Sequence, residues 1–183
     1  MRHSLLVIGC LSVAAVNAPA TWARADSSIK HTASLTEFII KVDALDQVVD
    51  DIVQAGALAL LSEEYPTWTF DADAGFGETS LKISNDIGAI AGRADYGMPK
   101  IRGAIARNQA VSDEQRARAL EAFGYTKELL KIAYDLDNLV TEKAFDEAAT
   151  LYRNEILHRA DDLNERIRLL TDEISLAVKL SAF

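Results

Sequence analysis

Residues 34–59 read SLTEFIIKVDALDQVVDDIVQAGALA. Leu35, Phe38, Val42, Leu45, Val49, Ile52, Gly56 and Ala59 stand in steps of 3-4-3-4-3-4-3, the a/d rhythm of a helix packed along neighbours in a bundle. Asp43, Asp46, Asp50 and Asp51 fall off that seam. Ser34-Leu-Thr-Glu37 has the form of a capping box, so a helix is predicted over about 35–64. Pro66 sets its end, because a residue before proline is pushed out of helical geometry.

Downstream, 65–79 (YPTWTFDADAGFGET) is predicted as a loop. A second helix, about 80–109, carries Leu81, Ile83, Ile87, Ile90 and Ala94, with Gly88 and Gly92 four apart for close backbone approach. Gly97-Met98-Pro99 is expected to interrupt it, Pro99 opening a short new helix. A second capping box, Ser112-Asp-Glu-Gln115, starts a third helix with Leu120, Phe123, Leu129, Ala133, Leu136 and Val140 inward. From Tyr125 to Phe183 there is no glycine or proline. One helix over that tract would be about 88 Å long, so a compact chain must fold back. The seam slips at Thr141-Glu-Lys-Ala144, the predicted turn. A fourth helix then shows Phe145, Ala149, Tyr152, Ile156, Ala160, Leu163, Ile167, Leu170, Ile174 and Ala177, with Glu155–Arg159 and Asp162–Arg166 as favourable i,i+4 pairs. No strand-like alternation occurs. The fold class expected is all-α, an antiparallel bundle of about four main helices, the second interrupted. The competing form is an extended coiled-coil hairpin or dimer on one very long helix.

The beginning of the chain reads as a cleavable secretory signal over residues 1–25. Met1-Arg-His3 is basic, Leu5–Val16 is a continuous apolar run, and Ala23-Arg24-Ala25 is a small-x-small cleavage pattern. The run is 12 residues long, against roughly 20 for a membrane span. Val7-Ile8-Gly9-Cys10 spells a lipoprotein box, but a cut there would strand half of the apolar run on the product. Cleavage after Ala25 leaves one domain, residues 26–183, large enough for its own core. Cys10 is the sole cysteine, so that domain has no disulfide and rests on helix packing. The location expected is a bacterial periplasm or the medium, with no stable membrane insertion after cleavage.

Charge narrows the partners. The chain carries 19 basic and 28 acidic side chains, net −9. Losing Arg2 and Arg24 with the leader makes it −11. So acidic a surface argues against nucleic acid and anionic lipid. A basic island interrupts it between Lys82 and Arg118. There Arg93, Lys100, Arg102 and Arg107 could serve a carboxylate or phosphate at a helix N-terminus beginning at Pro99. Pairing with the chain's own acidic helices is the plainer expectation. Tyr65, Trp68 and Phe70, with Phe76, crowd the first loop. They offer either a recognition surface or, more simply, a plug over the open end of the core.

Metal signals are slight. Glu155-Ile-Leu-His158 places a carboxylate and an imidazole on one helical face, but a di-iron site needs two such motifs and the only other histidine of the domain is His31. A solvated pair is the simpler reading. Asp71, Asp73 and Gly75 match the start of a calcium loop, yet Phe76 and Lys82 stand where glycine and glutamate are required. There is no haem-attachment motif, phosphate-cradling glycine loop or nucleophile elbow, so no cofactor and no catalytic residue is assigned. The function expected is a non-enzymatic exported bundle binding another periplasmic or secreted protein, in an adaptor, chaperone-like or inhibitor/immunity role. Homodimerisation is compatible with it. The alternative is a periplasmic small-anion or metal-binding bundle.

Overall fold

A computed structural model of the chain describes residues 19–64 and 76–181, with side chains over 27–60 and 83–180. The basic start and apolar run of the predicted leader, the aromatic loop with Tyr65, Trp68 and Phe70, and the loop aspartates Asp71 and Asp73 lie outside the described residues. Helix α1 spans Pro19–Glu64, α2 Phe76–Arg107 and α3 Asp113–Thr141. A fourth rod joins α4 (Phe145–Leu151), a π-helical turn (Tyr152–Leu157) and α5 (His158–Ser181). Every described element is helical, and no described helix is long and apolar enough to cross a membrane.

All eight seam positions of α1 are buried, from Leu35 to Ala59. Taking each large apolar side chain out of water contributes roughly 1.5–3 kcal/mol, so Phe38, Val42, Leu45, Val49 and Ile52 make α1 the axis of the core. α1 packs on α2, α3, α4 and α5 alike. Paired contacts show the chain running up, down, up and down. Ser34 meets Asn108, Ser84 meets Asp137, Glu121 meets Arg166, and Asp50 meets Asn164.

Two expected breaks are absent. α1 does not start at the Ser34 box, because the helix already runs through it from Pro19. The Ser34 hydroxyl and carbonyl instead accept from Asn108 Nδ2, at 3.3 and 2.8 Å. Ala23 and Ala25, the predicted cleavage residues, therefore lie within the α1 backbone. Nor is α2 interrupted: it is one 32-residue helix with Pro99 inside. Ile87, Ala91, Ala94, Met98, Ile101 and Ile105 are all buried at 4-3-4-3-4 spacing. This seam passes straight across Pro99, which points to solvent. Burial on both sides outweighs a local cost of about 3 kcal/mol.

The predicted first loop, 65–79, gives way to α2 already at Phe76, whereas the α2–α3 and α3–α4 turns fall where expected. Ser112 caps α3 with a complete capping box to Gln115. Asn108 ties the α2–α3 linker down, accepting from the Ala110 N–H through Oδ1 and from Arg116 Nε through its carbonyl. The α3–α4 turn is closed at Lys143, whose φ of 62° is left-handed. That conformation usually calls for glycine, but lysine adopts it here, so no punctuation residue marks the place in the sequence. Between α2 and α3 the Ser84 hydroxyl donates to Asp137 Oδ1 at 2.6 Å and lies 2.8 Å from the Thr141 hydroxyl. Gly88 sits against that Asp137 carboxylate, whereas Gly92 has nothing near its missing Cβ. Ala177, expected inward, is exposed.

Candidate functional site

The fourth rod changes pitch where α1 offers Gly56. A Cβ built there would collide with the Tyr152 ring, so the ring occupies the space that only glycine leaves free. Tyr152 is buried, and burial pushes its hydroxyl pKa up. The π turn begins at this residue. Such a turn absorbs one extra residue and re-aims everything after it. The buried positions record the change, since Tyr152, Ile156 and Ala160 are separated by two successive steps of four within a 3-4 rhythm.

Beyond the turn, α5 and α3 part to leave a cleft of about 350 Å³ lined by Tyr125, Glu128, Leu129, His158, Arg159, Asp162, Leu163 and Arg166. A smaller hollow of about 130 Å³ continues it past Arg118, Ala122, Leu169 and Leu170. Buried Ala122, Leu129, Leu163 and Leu170 form the floor. Above it Tyr125 is 41% and Leu169 50% exposed. The Arg166 guanidinium lies 5.6 Å from the Tyr125 ring centroid, a cation–π stack. Asp162 accepts from Arg166 Nε at 2.8 Å, and Glu121 accepts from the Tyr125 hydroxyl at 3.2 Å. Both partners of the stack are thereby oriented. Glu173 straps the far end, accepting from Gln115 Nε2 at 2.7 Å and from Arg118 at 2.6 Å. Hydrogen bonds from Gln115 and Arg118 hold its carboxyl below the usual range.

The sequence-derived candidates fare differently. Glu155 and His158 do not converge. Glu155 lies in the π turn and pairs with Arg159 at 2.6 Å. It borders a hollow beside Leu139 and Asp146, while His158 borders the cleft. In a π turn the period exceeds 3.6 residues, so residues three apart fall further short of one face. Among the described residues no three His, Cys, Asp or Glu side chains gather as a metal site. The basic island is corrected in two respects. No helix begins at Pro99, so the expected anion-binding N-terminus does not exist. Arg93, Lys100, Arg102 and Arg107 form no ion pair with a described residue, and Lys100 rests 5.2 Å over the Tyr96 ring. At 100° per residue Arg93, Lys100 and Arg107 share one exposed row, and Arg102 stands about half a turn away.

The cleft residues Tyr125, Leu169 and Arg118 have no motif to announce them. The available sign was apolar side chains lying off a buried seam. The expected Asp162–Arg166 pair is present and forms one wall. No protein-family model matches this chain, and no match is found among the curated proteins or the solved structures.

Proposed function

We propose that this chain is an exported, non-enzymatic binding protein that captures a helical segment of another periplasmic or secreted protein in the α3–α5 cleft. The observation that carries the reading is the oriented Tyr125–Arg166 stack standing over the apolar floor. Tyrosine and arginine anchors beside desolvated apolar pockets supply most of the energy of typical protein interfaces. The cleft lies between antiparallel helices, the geometry in which an amphipathic helix lays its apolar face. An adaptor, chaperone-like or inhibitor role would each use it.

The test is co-purification from periplasmic extract with the full chain, beside Tyr125→Ala and Leu169→Asp. A partner recovered in stoichiometric amount by the parent and lost with both variants supports the reading. Recovery unchanged in the variants overturns it. Stoichiometric metal with no partner overturns it too, in favour of ligand binding.

A further inference from the structure

We infer that the α1–α2 face is a self-complementary interface for a second copy of this chain. The face carries two exposed apolar groups, Ile40 at 57% and Tyr96 at 77%, with Ile29 at 67% near its end. Ile29, Ala33 and Ile40 follow one another along the outer side of α1. On α2 the row Arg93, Lys100 and Arg107 flanks Tyr96, and none of the three cations pairs with a described acid. In a chain of net charge −9, cations left unpaired in a row are an incomplete arrangement.

The acids that would complete it are on the same face. Glu37 borders the hollow between α1 and α2 together with Arg107, yet the two form no ion pair. Asp51 lies fourteen residues further along α1, at nearly the same angular position. Glu37 and Asp51 are therefore about 21 Å apart along the axis, as are Arg107 and Arg93. Their heights also agree. The Asn108–Ser34 hydrogen bond fixes the antiparallel register. It sets Glu37 level with residue 105 and Asp51 level with residue 91, each within two residues of an arginine.

A two-fold axis parallel to the helices preserves height. It brings α1 of one copy against α2 of the other, in opposite directions. Glu37 then meets Arg107 and Asp51 meets Arg93, twice each, with Ile40 and Tyr96 enclosed between the charges. From Ile29 to Leu58 the face is about 44 Å long, and two helices make it about 20 Å wide. Its area is close to the ~800 Å² per partner that stable complexes use. Steering by opposite charges fixes the register.

Sedimentation of the full chain against concentration and salt tests this. The expected result is a dimer that weakens as ionic strength rises. Arg93→Glu/Arg107→Glu is expected to raise the dimer dissociation constant by at least ~10-fold, and Glu37→Arg/Asp51→Arg by as much. All four substitutions together restore the dimer to within ~3-fold of the parent. Circular dichroism checks that each variant keeps its helix. If a charge pair loses it, Tyr96→Asp at the exposed centre is expected to dissociate the dimer instead. A monomer at every concentration, a dimer indifferent to both reversals, or a fourfold swap that fails to reassociate overturns the inference.

Discussion

Helix α2 contains a proline, and several glycines, and runs unbroken for 32 residues. The fourth rod contains neither residue and changes pitch between α4 and α5. The contrast shows that helix continuity in this bundle is decided by what packs on each turn. Pro99 has no N–H to donate to the preceding turn, but Pro99 and Asp95 both lie on the exposed side while the buried seam continues beneath. Tyr152 meets the α1 backbone at Gly56, and the rod accommodates one residue more than an α-helix allows. The consequence is functional as well as geometric: the turn directs His158, Asp162 and Arg166 to the cleft.

The contrast can be broken most severely by removing single residues from the rod. A chain lacking exposed Asn154 is expected to stay folded, because the π turn relaxes to α and the register of α5 is kept. A chain lacking exposed Asp161 is expected to lose cooperative folding, because everything after it rotates by about 100°. Thermal melts followed by circular dichroism compare them, and equal damage from both deletions would refute the account. Next in size, Gly56→Leu is expected to cost about 3 kcal/mol through overpacking against Tyr152. Tyr152→Ala added to it should recover part of the loss, and strictly additive urea midpoints would break the link between the two residues. Pro99→Ala should stabilise α2 by about 2 kcal/mol, the interior helix penalty of proline less its benefit in the unfolded chain. No gain would mean that the seam has already absorbed the cost.

The smallest effect concerns the strap across the cleft. The Glu173 pKa is lowered in the folded state by Gln115 and Arg118. The folded state therefore binds fewer protons, and this contribution is present above the unfolded carboxylate range and lost as pH falls from there through the lowered folded-state value. Glu173→Gln should cost only a few tenths of a kcal/mol at neutral pH, as expected for an exposed pair. It should also flatten the acid side of the stability profile. Burial raises the Asp46 pKa first, and the neighbouring Asp50 and Asp43 carboxylates raise it further. Asp46 therefore acts with the opposite sign, and Asp46→Asn is expected to stabilise slightly at neutral pH.

Much of the bundle was legible from spacing. The α1 seam, the Ser112 capping box and the Thr141–Ala144 turn needed only local rules. Even the continuity of α2 was visible in the unbroken spacing from Ile87 to Ile105. The stronger local signal of Gly97-Met98-Pro99 pointed the other way. The two successive steps of four around Ile156 likewise marked the pitch change. The cleft was not legible, because its members come from α3 and α5, which the Lys143 turn, α4 and the π turn separate along the chain. Tyr125 and Leu169 are ordinary off-seam residues until α3 and α5 part between them.

By itself, then, the sequence determined which residues face inward, since the 3-4 repeat of apolar side chains admits one buried stripe per helix. Tertiary structure decided which of the competing local signals won at Pro99, and it alone decided which surface residues share a cleft. Those outcomes depend on contacts between distant segments: Gly56 with Tyr152, Ser34 with Asn108, and Arg118 with Glu173. Local periodicity carries no record of such contacts.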